Sequence, residues 1–471
     1  TPLTFRSYVC IHNESSLALT IFIFISRYKM MPLTNNEAPC LSVPDFYAGR
    51  SVFLTGGTGF LGMVFLEKLL YSCPKINKVF VLIRMKKDLS AVPVAQLARH
   101  QLVFTRIKKE KPEVLSKIVP IPGDIAIPDL GIESADETML IKEVSVVVHS
   151  AASVKFNEPI SKALNINLEG TRRVLALCQR MKFIEVFVHI STMFSNTDRD
   201  VIQEIVYPPP KDLAEVYKFV KEHGDDPKMI GHPNTYTFTK ALIETMIFQN
   251  RGDIPVVIVR PSIVTPSIEE PIRGWIDNWY GATSLLTAIA MGICRGVVGR
   301  KHNVLDMIPV DYVSNLTLIS AAKFNRRGTL TVLNCCSSDI NPITLKQLSS
   351  LYAKENVLPF PGLILITQYK WIVEAISLFI RTFAYVIDFV LRIIGRKYAK
   401  TQKKVDFARN MVEYFTTHTW VTKCDGVRAL YHSLNPKDQQ AFPCDPALIN
   451  WRKYIPIYYE GVSRYLLKNQ K

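Results

Sequence analysis

SVFLTGGTGFLGMVFLEKLLY, residues 51–71, reads as strand, glycine turn and helix in immediate succession. The apolar run Ser51–Leu54 is strand-like, and Met63–Tyr71 is apolar at helical spacing. Between them lie Thr55-Gly56-Gly57-Thr58-Gly59-Phe60-Leu61-Gly62. In such a turn Gly56 permits the tight bend. Gly59 lets backbone approach a pyrophosphate, and Gly62 lets helix and strand pack closely. Thr58, Phe60 and Leu61 complete the lining of the turn. The free N–H groups and dipole of the helix N-terminus favour the anion. The glycine spacing alone is weak, but its strand and helix flanks make this a dinucleotide-binding fingerprint.

Working outward, the second strand Lys78–Arg84 (KVFVLIR) lacks the terminal acid that would hold a ribose 2′-hydroxyl. It ends in Arg84, with Lys86 and Lys87 beyond. Cations there suit a 2′-phosphate and favour NADP(H), the other reading being an ordinary basic loop. Strands follow at Ile118–Ile121, Val144–His149, Val186–Ile190 and Val256–Val259. Their C-terminal ends lead into Gly123-Asp124-Ile125, Ser150-Ala151-Ala152, Ser191-Thr192 and Arg260-Pro261-Ser262. Ala151 and Ala152 are small enough for a nicotinamide or ribose to lie close, and Asn167–Thr171 opens a helix. Alternating strands and helices with polar strand ends predict an α/β fold with a doubly wound parallel sheet, its ligands bound beyond those ends.

Tyr236 and Lys240, in YTFTK, stand at i and i+4 and share a helix face. A nearby ammonium lowers a phenol's pKa and fits it for proton transfer. Ser191 or Thr192 would supply a hydroxyl to hold a substrate carbonyl.

With these residues the chain resembles the extended short-chain dehydrogenases/reductases, and more narrowly the arthropod-type fatty acyl-CoA reductases. The resemblance lies in FLTGGTGFLG (53–62), GDI (123–125), HSAASVKF (149–156), HIST (189–192), VYPPP (206–210), YTFTK (236–240), VRPSIV (259–264), GWIDN (274–278) and IPVDYV (308–313). Weaker matches, NPIT (341–344), the aromatic run 415–420 and GVSRYLLK (461–468), extend it over nearly everything after Pro44. It implies a Rossmann domain over 46–345 and a mainly helical fatty acyl-CoA reductase domain over 355–468. It also implies NADPH-dependent reduction of a long-chain acyl-CoA to a primary alcohol and CoA, through an aldehyde, by two hydride transfers. By analogy Tyr236 donates the proton and Lys240 holds the ribose hydroxyls. Thr192 best matches the catalytic hydroxyl, with Ser191 second. Asp124, Ile125, Asn167, Pro261 and Ile263 join the glycine turn, Arg84, Ala151, Ala152 and Lys240 as cofactor-binding residues; no metal is implied. One departure stands out: the family usually continues S-T-A-Y, whereas this chain has Met193-Phe194. Two other readings are a sterol or aldehyde reductase of the same fold and a non-catalytic, NADPH-binding lipid-surface protein.

The chain has 471 residues, 48% hydrophobic and 21% charged, which excludes a disordered tail, a collagen or a disulfide-stapled miniature. Its net charge of +16 and mean hydropathy of +0.12 describe a basic yet greasy protein. Phosphates of the cofactor and of CoA, and an anionic membrane, account for that charge better than nucleic acid, for which no aromatic-interleaved basic stripe exists. The nine cysteines form no C-x-x-C pair, which points to a reducing compartment. Residues 1–30 carry a ten-residue apolar run, Leu17–Ser26, followed by Met30-Met31. They read as upstream sequence before a start at Met31, or as a short membrane anchor. Asn356–Gly362 reads as a turn or linker.

The segment 371–394 is apolar over 24 residues, with Glu374, Arg381, Asp388 and Arg392 on one helical face, and a basic flank (395–397, 400–404) follows. An interfacial helix is the leading expectation, against a bilayer span or a helix buried in a cap. The expected setting is intracellular, on the cytosolic face of the endoplasmic reticulum or peroxisomal membrane. No S-K-L peroxisomal signal occurs at the C-terminus, and oligomeric state leaves no sequence signal.

Overall fold

A computed structural model describes residues 41–84, 102–226, 231–354, 364–390 and 398–468. The leader 1–30, Lys86 and Lys87, the linker 356–362 and the segment 391–397 lie outside the described residues. From Ser42 onward the chain forms one compact unit.

Seven strands form the main sheet: β1 (Ser51–Thr55), β2 (Lys78–Ile83), β3 (Ile118–Pro122), β4 (Val144–His149), β5 (Val186–Ile190), β6 (Val256–Pro261) and β7 (Leu330–Cys335). Their order is β7-β6-β5-β4-β1-β2-β3, and every pairing is parallel. The chain runs out from β1 to one edge, returns beside β1 as β4 and continues to the other edge. The crevice opens at that reversal, beyond the ends of β1 and β4. Thr55 pairs with Leu82 and His149, and His149 with His189, so the polar strand ends share one edge. The six strands read from the sequence are present. The seventh, LTVLNC, was not among them, and it extends the sheet beyond β6. Its mixed polarity hides it from a hydrophobic scan, because as an edge strand it is half-buried at Leu330 and Thr331.

Strand alternation divides the core. Phe53, Phe80, Val147, Phe187 and Ile258 face helices α1 (Gly170–Arg180) and α2 (Thr235–Asn250) through Val174, Leu177, Phe238, Leu242 and Met246. On the other face, Val52, Val79, Val146, Val188 and Val257 pack with Phe65 and Leu69 from the helix Phe60–Ser72 and with Leu316 and Ile319 from α3 (Val310–Lys323). Each fully buried aliphatic or phenyl side chain of this kind contributes roughly 1.5–3 kcal/mol.

The C-terminal segments join this second face. Val421–Thr422 pairs with Val201–Ile202, and Leu365–Thr367 with Gly296–Val298, both in parallel. Helices α4 (Lys370–Val390) and α5 (Tyr398–Thr417) pack on each other, and α6 (Trp451–Gly461) places Tyr454 and Tyr458 in the core. Tyr458 bonds Thr283 at 2.7 Å. Among the described residues no helix is long and apolar enough to cross a membrane. The seven described cysteines are all free and buried.

Candidate functional site

The glycine turn folds as its spacing requires. Gly56 has φ +75°, and a Cβ there would lie 2.7 Å from the Ala151 amide nitrogen. A Cβ on Gly62 would lie 2.1 Å from the Gly56 carbonyl oxygen. Both positions therefore admit only glycine. Gly59 is the N-cap of the Phe60–Ser72 helix and offers no side-chain acceptor to the first turn. Free N–H groups thus face the crevice. Thr58 and Gly59 are exposed there, with Phe60 and Leu61 half-buried beside them. This cradle fits a pyrophosphate.

A buried hydrogen-bonded chain ties the turn to the neighbouring loop. Thr171 Oγ1 donates to the Asn167 carbonyl at 2.6 Å, so it accepts from His149 Nε2 at 3.0 Å. His149 Nδ1 then accepts from Thr55 Oγ1 at 2.7 Å, and Thr55 Oγ1 accepts the Ala151 N–H at 3.3 Å. That assignment fixes the Nε2–H tautomer. Burial, and then the Lys240 charge, push His149 down to about 3, so it stays neutral. Asn167, read from sequence as a cofactor residue, is 1% exposed and clamps this loop. Its Oδ1 accepts from Ser153 N at 2.7 Å, and its Nδ2 donates to the Ser153 carbonyl (3.1 Å) and Thr239 Oγ1 (3.0 Å). Ala151 and Ala152 are half-buried next to it.

At the outer strands, Arg84 is exposed just past β2. Asp124 Oδ1 accepts from Ala126 N at 2.9 Å. Ile125 is buried, and its carbonyl accepts from Arg173 Nη1 at 2.8 Å. Pro261 ends β6, and Ile263 begins the short strand Ile263–Thr265 paired to Met307–Pro309.

Tyr236 and Lys240 share the first turns of α2, capped by Asn234, whose side chain accepts from Thr237 N at 2.9 Å. The expected lowering of the Tyr236 phenol is not what the structure has. Burial pushes it up, and Lys240 Nζ donates instead to the Ile190 carbonyl at 2.6 Å. Desolvation alone moves the phenol, and it pulls Lys240 itself down to about 7, opposed by Glu244.

The two hydroxyl candidates separate clearly. Ser191 Oγ is committed to Glu244 Oε1 at 2.5 Å. Thr192 Oγ1 has only long contacts, donating to the Pro261 carbonyl at 3.4 Å and accepting from Phe194 N at 3.3 Å. Thr192 is the hydroxyl with hydrogen-bonding capacity to spare.

Aromatic rings wall this corner. Phe156 stacks on Tyr236 with centroids 6.2 Å apart, and Phe415 of α5 meets Phe156 at 5.7 Å and Phe194 at 4.7 Å. Trp420 meets Phe194 at 5.9 Å, and Met193 Sδ accepts from Thr422 Oγ1 at 3.5 Å. The departure Met193-Phe194 is therefore packed against residues 415–422, both side chains being buried.

Sequence reasoning missed the buried pair Glu244–Arg260 (Nε–Oε1 2.9 Å, Nη2–Oε2 2.5 Å). Its signal was available: Glu244 continues the Tyr236–Lys240 face by one more turn. It also missed His149, although HSAAS was singled out.

Two family models, both described as "Male sterility protein", match the chain, an NAD-binding one over residues 54–317 and a second over 379–469. Fatty acyl-CoA reductase 1 of Homo sapiens is 35% identical over 448 residues, covering 91% of this chain and 87% of that protein. Fatty acyl-CoA reductase 2 of Mus musculus is 32% identical over 448 residues, covering 90% and 86%. In fold the chain is similar to the terminal R domain of the myxalamid PKS-NRPS pathway, with TM-score 0.62 and 20% identity over 90% of this chain and 93% of that one. The nucleotide cradle, the Tyr236–Lys240 helix face and relatives matched over nine-tenths of the sequence converge on one answer: the chain belongs to the fatty acyl-CoA reductases, oxidoreductases that work with a nicotinamide cofactor.

Proposed function

We propose that this enzyme reduces a long-chain acyl-CoA to the primary alcohol and CoA, using two NADPH and passing through the aldehyde. The observation that carries it is the meeting, at one sheet edge, of a pyrophosphate cradle, a Thr192 hydroxyl with spare capacity and the Tyr236–Lys240 face. When bound, the nicotinamide supplies the hydride for each reduction. Thr192 Oγ1 holds the substrate carbonyl oxygen. Tyr236, whose burial keeps it protonated, donates its proton as that oxygen becomes an alkoxide. In the first cycle the resulting hemithioacetal expels CoA and leaves the aldehyde, and the second cycle repeats the proton donation. Lys240 holds the ribose hydroxyls, and Arg84 the 2′-phosphate. Residues 46–345 provide the cofactor half and 355–468 the acyl-handling half, whose aromatic residues exclude water around Tyr236. Incubation with palmitoyl-CoA and NADPH is expected to consume two NADPH per hexadecanol released. Release of palmitate without cofactor consumption removes the proposal, and activity confined to aldehydes favours an aldehyde reductase.

The same reading places the protein on the cytosolic face of the endoplasmic reticulum or peroxisomal membrane. Helix α4 supports it by turning its apolar residues outward: Trp371, Leu378, Phe379 and Phe383 are 54–74% exposed. Its inner face carries Val373 and Ser377, which bonds Asp406, with half-buried Arg381 3.9 Å from the same carboxylate, while Glu374 is exposed. The outer face suits the headgroup–acyl boundary. Phe379→Glu with Phe383→Glu is expected to cut binding to phosphatidylserine vesicles by about tenfold or more. Co-sedimentation checks this, and unchanged binding excludes α4 as the contact.

A further inference from the structure

Tyr236, Lys240 and Glu244 stand at successive turns of one face of α2. The chemistry above uses the first two. Glu244 is 2% exposed, and its Oε1 accepts from Ser191 Oγ at 2.5 Å and Arg260 Nε at 2.9 Å. The Ser195 hydroxyl points between that oxygen, 3.3 Å away, and the Thr192 carbonyl, 2.7 Å away. Ser191 and Ser195 bracket Thr192, so one carboxylate grips both ends of the turn that presents it. Arg260 is wholly buried and also donates to the carbonyls of Gln203 (3.0 Å) and Ile205 (2.7 Å). A buried ion pair of this kind adds little stability over apolar residues of the same volume. Its geometry has a use in the placement of the groups around it.

We propose that Glu244, held by Arg260, is a positioning residue that fixes the Ser191–Ser195 turn to aim Thr192 and sets the charge around Lys240, one turn back on the same helix face. This rests on the reading of Tyr236, Lys240 and Thr192 given above. Around Lys240 stand Tyr236 and Glu244 on its own helix, His149 on β4 and His189 on β5, with Arg260 on β6 behind Glu244. Burial and then the Lys240 charge hold both histidines neutral. Glu244 is thus the negative charge that opposes the desolvation of Lys240. A group required in its protonated form supports turnover below its pKa and loses it as pH rises through that value. Removal of the Glu244 charge lowers the Lys240 pKa and moves the alkaline limb of the rate profile to lower pH.

The test uses the full chain as wild type, Glu244→Asp, Ser191→Ala and the double variant Glu244→Gln/Arg260→Gln, which leaves no buried charge unpaired. Two readouts are taken: the pH profile of kcat with palmitoyl-CoA and NADPH, and the Lys240 titration in 13Cε-lysine-labelled protein, assigned with Lys240→Arg. The double variant is expected to lose about 10–100-fold in kcat with KM within about threefold. Its alkaline limb and Lys240 midpoint both fall by about one pH unit or more. Glu244→Asp keeps the wild-type limb because it keeps the charge. Ser191→Ala lowers kcat without moving the limb. A folded double variant with wild-type kcat and Lys240 midpoint overturns the proposal. If the double variant does not fold, wild-type kcat in both Ser191→Ala and Glu244→Asp overturns it. A wild-type chain without turnover fails the functional reading instead, and the Lys240 midpoint then still decides the role of Glu244.

Discussion

Tyr236→Phe is expected to lower kcat for acyl-CoA reduction by about 10²–10⁴-fold, the usual contribution of a positioned general acid. The KM for acyl-CoA should stay within about threefold, because the change removes an interaction made as charge develops on the carbonyl oxygen. The variant is a clean one. The Tyr236 ring is held by its stack on Phe156, 6.2 Å between centroids, and by the first turns of α2, which Asn234 caps. Phenylalanine keeps that packing and deletes only the hydroxyl. Burial pushes the phenol above its ordinary value, so at neutral pH it is fully protonated and serves as the acid without titrating. Stopped-time assays of NADPH consumption and alcohol formation measure the effect. Full activity in the variant would mean that the proton comes from elsewhere, and a protein that only binds lipid and NADPH would not register the change.

The second large effect is structural. Gly461→Ala is expected to destabilise the protein by about 3 kcal/mol or more, at the upper end of overpacking costs. A Cβ on Gly461 would lie 1.9 Å from the Gly274 carbonyl oxygen and 2.8 Å from its carbon, both backbone atoms with no rotamer to give way. The reciprocal contact is looser but still close: Gly274, at φ +74°, would place a Cβ 2.9 Å from the Ile457 carbonyl oxygen. Helix α6 therefore rests directly on the GWIDN segment, where Trp275 meets Tyr465 edge-on at 5.1 Å. Relief of the clash requires α6 to move away, and Tyr454 would lose its bonds to Thr265 and Pro266, each 2.6 Å. Urea or thermal melting followed by circular dichroism checks this; a wild-type transition would show that the contact is not rigid.

How much of this was legible in the sequence depends on range. The sheet was, since VFVLI, VSVVVH and VFVHI are β-branched runs that only a strand buried on both faces accommodates. The glycine turn was legible for the same local reason: Gly56 and Gly62 are excluded from being anything else by atoms a few residues or one strand away. The ranking of Thr192 over Ser191 came from the family resemblance alone; its physical basis was not legible, because it depends on Glu244, 53 positions from Ser191 along the chain. Asn167 was read as a cofactor residue, and the bonds by which its amide shapes the Ser153 loop were not legible. Nor could the environment of Met193-Phe194 be read. Their neighbours are Phe415, Trp420 and Thr422, and no local pattern links segments so far apart.

That last contact has a consequence for how the protein is made. Met193 and Thr422, which touch in the finished fold, are 229 positions apart. At ordinary synthesis rates of 5–20 residues per second, roughly 10 to 45 s separate their arrival from the ribosome. Through that interval the strands of the nucleotide half can pair, while Met193, Phe194 and the ring of Phe156 stay without their covering residues. A nascent chain therefore carries an apolar patch over its future reaction centre until the last quarter of the sequence arrives. Its yield in a cell should depend on holdase chaperones far more than on the stability of the completed enzyme.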